Sequence, residues 1–161
     1  MKIHGQQGYT LIEMLLVLML TAMVALSGGH ACHRYRQHAQ LEQATTQITD
    51  FLLRWQLAAS RGNHSCQLSV TRGGNWSITA YLMPAAGMPP VLLGRLDSPS
   101  DDIRLDFSQF DYLTLAGTRN TATAGHLTVC NAAGRLKIIL SGKGRVRICS
   151  ERGRWPGVAS C

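Results

Sequence analysis

The chain has 161 residues, of which 45% are hydrophobic and 16% are charged, and its formal net charge is +7. This length allows one domain with an extension, and the composition excludes collagen-like, coiled-coil and intrinsically disordered chains. A single long apolar segment excludes a polytopic membrane protein, whereas the modest positive charge raises the question of anionic partners.

The first predicted element is an apolar helix near the N-terminus. From Tyr9 to Gly28 the sequence is YTLIEMLLVLMLTAMVALSG, in which Glu13 is the only charged residue. Twenty helical residues are about 30 Å long, which matches the hydrocarbon core of a bilayer. A cleaved signal peptide is the main alternative, because residues 14–26 alone have the length of its apolar core. A lipoprotein signal before Cys32 is less favoured, since Gly29 stands where a branched apolar residue is expected.

Glu13 separates these alternatives. An ionisable residue inside a membrane helix is costly and indicates a functional role with a partner. Gly8-Tyr9-Thr10-Leu11-Ile12-Glu13, followed by an apolar run, resembles the N-terminal signature of type IV pilins and type II secretion pseudopilins. The resemblance implies that prepilin peptidase cleaves between Gly8 and Tyr9 and methylates the new amine of Tyr9. It also implies that Glu13, as the fifth mature residue, recruits the subunit into a filament.

Elementary electrostatics gives Glu13 a partner. Cleavage after Gly8 leaves a cationic amine at membrane depth, which is costly unless an opposite charge lies nearby. Glu13 follows Tyr9 by four residues, close to one helical turn of about 5.4 Å. We therefore expect the amine of one subunit to pair with Glu13 of a neighbour that is displaced by about one turn.

Beyond the apolar segment, the sequence predicts a second, amphipathic part of the helix. Apolar residues recur at spacings of three and four, which indicates one apolar stripe; they are Leu41, Ala44, Ile48, Phe51 or Leu52, Trp55, and Ala58 or Ala59. Arg61-Gly62-Asn63 predicts the end of the helix, with Gly62 in the left-handed position. The predicted organisation is a leader over residues 1–8, a transmembrane half over 9–29, an amphipathic half over 30–61 and a further domain over 62–161.

The last of these segments reads as a small β-domain. Short runs of alternating residues separated by turn residues predict strands; they cover residues 66–71, 75–83, 91–96, 103–107, 112–115, 126–131, 135–141 and 145–150. Gly142-Lys143-Gly144 predicts a hairpin. A long helix packed on a small antiparallel β-domain is an α+β fold and is the architecture that the pilin resemblance implies. Three segments of the tail resemble the GspH/FimT group of minor pilins and pseudopilins; they are Gly117–Ala122, Gly125-His126 and Ser141–Cys149.

Five cysteines are present. An exported domain would sit in an oxidising compartment where disulfides persist, and its four cysteines allow three pairings. We favour Cys149–Cys161, which closes the C-terminal loop, and Cys66–Cys130, which joins two strands. The fifth cysteine, Cys32, is expected to be a free thiol.

The C-terminal third is basic. Arg145 and Arg147 alternate with apolar residues on the last predicted strand, and Arg135 and Lys137 alternate similarly across the hairpin that contains Lys143. One interpretation is a solvated sheet face that aids contacts between subunits. The other is sequence-independent binding of DNA phosphates, since the resemblance associates arginines in this tail with DNA uptake in some FimT relatives.

These features together predict a minor pilin or pseudopilin, a non-enzymatic subunit that primes or caps a type IV pilus or a type II secretion pseudopilus. Its expected partners are prepilin peptidase, other minor and major pilins or pseudopilins, and the bacterial inner membrane, with the C-terminal domain in the periplasm. The alternative is a DNA receptor at the filament tip. No catalytic site, metal site or cofactor is predicted, because no motif for a nucleophile, a zinc ion or a carboxylate pair is recognisable.

Overall fold

The computed structural model describes residues 10–84, 88–107, 112–117 and 121–161. It contains a long helix, α1 (Leu11–Gly62), followed within the described ranges by nine strands. These are β1 (Ser65–Thr71), β2 (Ser77–Met83), β3 (Val91–Asp97), β4 (Arg104–Phe107), β5 (Tyr112–Ala116), β6 (Thr121–Ala122), β7 (Gly125–Asn131), β8 (Gly134–Leu140) and β9 (Val146–Arg152). The predicted α+β class is confirmed, and the chain divides into two compact units, Met1–Arg36 and Gln37–Cys161.

The strands of the second unit form two antiparallel sheets. One sheet has the order β3-β2-β1-β5-β6 and the other has the order β4-β7-β8-β9. The turn after β1 connects them, because the Gly73 N–H donates to the Leu105 carbonyl and the Leu105 N–H donates to the Gly73 carbonyl, each at 3.2 Å. The edge of β4 is therefore partly covered by the first sheet's own turn.

A single hydrophobic cluster fills the second unit. Its helical members follow the predicted stripe and are fully buried, among them Leu41, Ile48 and Leu52. The inward residues of both sheets complete it; they include Leu68, Ile78, Leu113, Leu127, Val129, Ile138 and Leu140. Each buried aliphatic side chain of this kind stabilises the fold by about 1.5–3 kcal/mol relative to exposure. The second part of α1 is thus an integral element of the core that the β-strands build.

The end of α1 differs from the prediction. The residue with a left-handed backbone is Asn63, at φ 51°, whereas Gly62 is the last helical residue. The His64 N–H reaches back to the Ala59 carbonyl at 3.2 Å, which is the hydrogen bond expected of a left-handed helix cap. Asparagine tolerates this conformation because its short polar side chain can bond locally, so the cap lies one residue later than expected.

Two glycines allow backbone to approach the helix closely. A Cβ at Gly94 on β3 would lie 2.8 Å from Cζ2 of Trp55. A Cβ at Gly117, directly after β5, would lie 2.3 Å from the Ala59 carbonyl oxygen. Both separations are far below a normal van der Waals contact, so these positions set how tightly the first sheet packs on α1.

Candidate functional site

The predicted processing site lies at the start of the chain. Gly8 and Tyr9 fall outside the described residues, which begin at Thr10. The Thr10 carbonyl accepts hydrogen bonds from the Glu13 N–H at 3.0 Å and the Met14 N–H at 3.3 Å. The helix therefore begins within two residues of the predicted cleavage point.

Glu13 lies in the first turn of α1 and is exposed. A carboxylate in this position is favoured because the unpaired N–H groups of the first turn carry partial positive charge. An additional cation from a neighbouring chain would strengthen this arrangement. The structure thus places the acid at the end of the helix where the predicted mature amine would begin.

From Met14 to Ala25 the helix of the first unit carries no charged residue, and its exposed side chains are almost all apolar. Large hydrophobic residues from Leu11 to Val24 are about half to four-fifths exposed, with Leu11 at 79% and Val17 at 49%. A helix that is hydrophobic all round requires an apolar environment. Within the part of the chain that the structure describes, no helix is sufficiently long and apolar to cross a membrane.

The cysteine predictions have different outcomes. Cys149 and Cys161 form a disulfide, as predicted. The predicted Cys66–Cys130 bridge is wrong: both residues are free thiols. Cys66 lies on β1 and Cys130 on β7, which belong to different sheets, and burial raises the pKa of the Cys66 thiol. Cys32 is a free, exposed thiol.

The disulfide fixes the C-terminal segment against β9. The Ser150 N–H donates to the Ala159 carbonyl at 2.8 Å, and the Cys161 N–H donates to the Ser150 carbonyl at 3.0 Å. The same segment buries Trp155, whose ring lies 4.5 Å from the ring of His38 on α1. The far end of β9 is therefore covered by the tail, while its beginning is not.

The predicted hairpin joins β8 and β9. The Ser141 N–H donates to the Arg145 carbonyl at 2.9 Å, and the Gly144 N–H donates to the Ser141 carbonyl at 2.8 Å. Gly144 has φ 71°, a conformation that favours glycine. On β9, Arg147 is exposed opposite Ile139, whereas Val146 is half-buried opposite Leu140.

The basic residues do not form one uniform surface. The register places Arg135 and Lys137 on the same face of the sheet as Arg147. Lys137, however, forms an ion pair with Glu151, which follows Ser150 on β9. The hydrogen bond from Lys137, together with the positive charges of Lys137, Arg135 and His126, holds the pKa of Glu151 below its ordinary value. Part of the predicted positive charge is thus neutralised within the domain.

Arg145 and Arg147 border a groove between α1 and the beginning of β9. The groove has a volume of about 420 Å³, and its other walls include Leu53, Gln56, Leu57 and Val146. The periodicity did not indicate Leu53 and Leu57, because they are exposed and lie outside the apolar stripe. It did not indicate Gln56, which is buried on the side of the stripe, because its side chain is polar. An apolar pair four residues apart on the outer face of the helix, Leu53 and Leu57, is the signal that could have indicated them.

No three or more His, Cys, Asp or Glu residues among those described lie close enough to hold a metal ion.

Comparison with known proteins gives one family motif and a set of similar folds. Residues 3–28 match the prokaryotic N-terminal methylation motif. The fold is similar to that of the type IV minor pilin FimU of Pseudomonas aeruginosa in two crystal forms, with TM-scores of 0.54 and 0.58 and identities of 15% and 14%. These alignments cover 66% and 71% of this chain and 90% and 91% of FimU.

The minor pseudopilin EpsH from the type 2 secretion system of Vibrio cholerae is also similar. The TM-score is 0.59 at 11% identity, over 73% of this chain and 98% of EpsH. No curated protein gives a significant sequence match. The methylation motif and the fold confirm the resemblance drawn from the sequence: the chain combines the N-terminal motif of prepilin-type proteins with a pilin-like fold of the minor pilin and pseudopilin kind.

Proposed function

We propose that this chain is a minor pilin or minor pseudopilin, a structural subunit without enzymatic activity that primes or caps assembly of a type IV pilus or a type II secretion pseudopilus. The observation that carries the proposal is Glu13 in the first turn of a helical segment whose exposed side chains are almost all apolar, inside the segment that matches the N-terminal methylation motif. The pilin-like fold of the second unit supports it.

Processing and membrane anchoring follow from the same segment. Prepilin peptidase removes residues 1–8 by cleavage between Gly8 and Tyr9 and methylates the amine of Tyr9. Residues 9–29 anchor the chain in the bacterial inner membrane by a single pass, and residues 30–61 continue the helix on the far side. Residues 62–161 form the periplasmic domain. The exposed apolar side chains between Leu11 and Val24 support this anchoring, because they need an apolar surrounding.

Assembly uses the acid at the helix start. A cationic amine taken into an apolar environment without a partner costs several kcal/mol. The exposed Glu13 carboxylate of a neighbouring subunit, displaced by about one helical turn of about 5.4 Å, removes that cost. The ion pair then links extraction from the membrane to the axial register of the filament.

The experiment separates processing from incorporation. We compare Glu13→Ala with Glu42→Ala in cells that assemble the filament, since Glu42 is also an exposed carboxylate on α1. Mass spectrometry of the membrane fraction measures loss of residues 1–8 and methylation of Tyr9, and immunoblots of sheared filaments measure incorporation. We expect Glu13→Ala to be processed but absent from filaments, and Glu42→Ala to be processed and incorporated. Normal incorporation of Glu13→Ala would refute the assembly role, and a mature chain that begins near Cys32 would refute the class of protein.

DNA binding through the Arg145/Arg147 strand is the alternative function. It would use Arg135, Lys137 and Lys143 as further phosphate contacts. The pairing of Lys137 with Glu151 weakens that basic surface, and the two arginines border a groove with apolar walls. These features favour a protein partner over DNA.

A further inference from the structure

The groove beside β9 has apolar walls that remain open to solvent. Leu53 is 40% exposed and Leu57 is 57% exposed, although the neighbouring Leu52 and Gln56 are buried. Residues four apart lie one above the other on a helix, so the two leucines form a short apolar strip beside the groove. This strip is separate from the buried stripe that packs on the sheets.

The opposite rim of the groove is held in place by the helix itself. The buried Gln56 side chain donates a hydrogen bond from Nε2 to the Gly144 carbonyl at 2.7 Å. This contact joins α1 to the hairpin across 88 positions of sequence. Because Gly144 immediately precedes Arg145, the contact holds the backbone at the start of β9 beside the part of α1 that carries the leucine strip.

The charge of the groove is entirely positive. Arg145 and Arg147 are exposed, and the residues that line the groove include no carboxylate. Within the described ranges, neither arginine takes part in an ion pair. Glu151, an acid on the same strand, is occupied by Lys137. A ligand that supplies carboxylates would therefore meet two arginines whose charges the fold leaves available.

We propose that this groove binds an amphipathic helix that carries carboxylates and belongs to a different subunit of the same filament. Its apolar residues, spaced three or four apart, cover Leu53 and Leu57, as in helix-in-groove recognition. Its carboxylates pair with Arg145 and Arg147, because a guanidinium group binds a carboxylate through two parallel hydrogen bonds. The proposal rests on the proposed function, since only a filament subunit is held beside such a neighbour.

The apolar strip decides between a protein and a nucleic acid. Phosphate contacts account for most sequence-independent affinity for DNA, and they would leave both leucines uncovered. An amphipathic helix removes their apolar surface from water and pairs the arginines at the same time. The combination of strip and charge therefore fits an acidic helix better than a DNA backbone.

The test uses the full chain in cells that assemble the filament. A photo-crosslinking p-benzoylphenylalanine replaces Leu57, and the same residue at Arg54 serves as the control, because Arg54 is exposed on α1 and lines a different groove. Mass spectrometry identifies the peptide joined to each position. We expect the Leu57 position to join a helical, carboxylate-bearing segment of another filament subunit, and the Arg54 position not to do so.

Charge reversal makes the result specific. The double variant Arg145→Glu, Arg147→Glu should lower the Leu57 adduct about tenfold, which corresponds to about 1.4 kcal/mol of binding free energy. Arg145→Lys, Arg147→Lys should retain most of it. Both double variants should keep the unfolding midpoint of the parent, measured by tryptophan fluorescence, because the two side chains are exposed.

The outcomes that overturn the proposal are distinct from failure of the proposed function. An adduct to DNA, to lipid, to a second copy of this chain or to an uncharged segment would refute it, as would an adduct that charge reversal leaves unchanged. Removal of residues 1–8, measured in the same cells, reports the proposed function independently. A processed and incorporated chain with no Leu57 adduct refutes the groove alone, whereas an unprocessed chain refutes the filament subunit.

Discussion

Gly117 provides a sharp test of how the first sheet packs on α1. A Cβ at this position would lie 2.3 Å from the Ala59 carbonyl oxygen, 2.6 Å from the His64 carbonyl oxygen and 2.7 Å from the His64 nitrogen. All three atoms belong to the backbone, and two of them form the hydrogen bond that caps the helix. No side chain can rotate away to make room, so Gly117→Ala must displace the helix end or β5.

The expected cost is at the upper end of the range for overpacking. Inserting a methyl group into a tightly packed site costs about 1–3 kcal/mol, and loss of the capping hydrogen bond adds about 1 kcal/mol. We therefore expect Gly117→Ala to lower the free energy of unfolding by about 3–4 kcal/mol. For a unit of this size, the unfolding midpoint should fall by roughly 12 °C.

Tryptophan fluorescence of the full chain in non-ionic detergent measures this change, because all three tryptophans, Trp55, Trp76 and Trp155, lie in the second unit. Gly142→Ala is the matched control: the nearest atom to its Cβ would be the Ala122 carbonyl oxygen at 3.8 Å, an ordinary contact. We expect the control to change stability by less than about 0.5 kcal/mol. Equal effects of the two substitutions would show that the close approach at Gly117 does not constrain the fold.

Two further predictions concern β9. Lys137→Gln should raise the pKa of Glu151 toward the ordinary range of a glutamate, because the carboxylate loses its main hydrogen-bond donor. NMR titration measures this pKa, and an unchanged pKa would contradict the prediction. At a pH above the pKa that Glu151 has in the unfolded chain, its lowered native pKa stabilises the fold by at most about 1 kcal/mol. This advantage of the parent over Lys137→Gln should disappear as the pH falls through the native pKa of Glu151. Cys161→Ser should lower stability by about 2–3 kcal/mol, since Cys149 then lacks its partner twelve residues away. Dithiothreitol should lower the unfolding midpoint of the parent and leave that of Cys161→Ser unchanged; equal midpoints of parent and variant without reductant would contradict the role of the bridge.

Local patterns predicted the elements of the fold well. The spacing of Leu41, Ala44 and Ile48 identified the buried stripe of α1, and alternation along β9 identified Arg147 as exposed and Val146 as inward. These predictions depend only on the periods of helix and strand, which act over a few residues. The two-residue strand β6 was missed because it is too short to show any alternation.

Long-range relations could not be predicted in the same way. Cys66 and Cys130 each lie on a predicted strand, but which strands share a sheet depends on pairing between distant segments, and the two belong to different sheets. The groove could not be predicted for the same reason, because the contact between Gln56 and Gly144 that forms one side of it joins residues 88 positions apart. The exact position of the helix cap could not be predicted either, because Gly62 and Asn63 both tolerate a left-handed backbone, and the structure uses Asn63.

The shared core has a consequence for biosynthesis. The part of α1 from Leu41 to Ala59 is synthesised before any strand, yet its apolar stripe belongs to a core that the inward residues of both sheets complete. A nascent chain arrested before β9 would leave that stripe incompletely covered, and transiently exposed apolar surface promotes aggregation. We therefore expect folding of this unit to follow translation rather than accompany it, with the emerging helix dependent on holding factors until the last strand arrives.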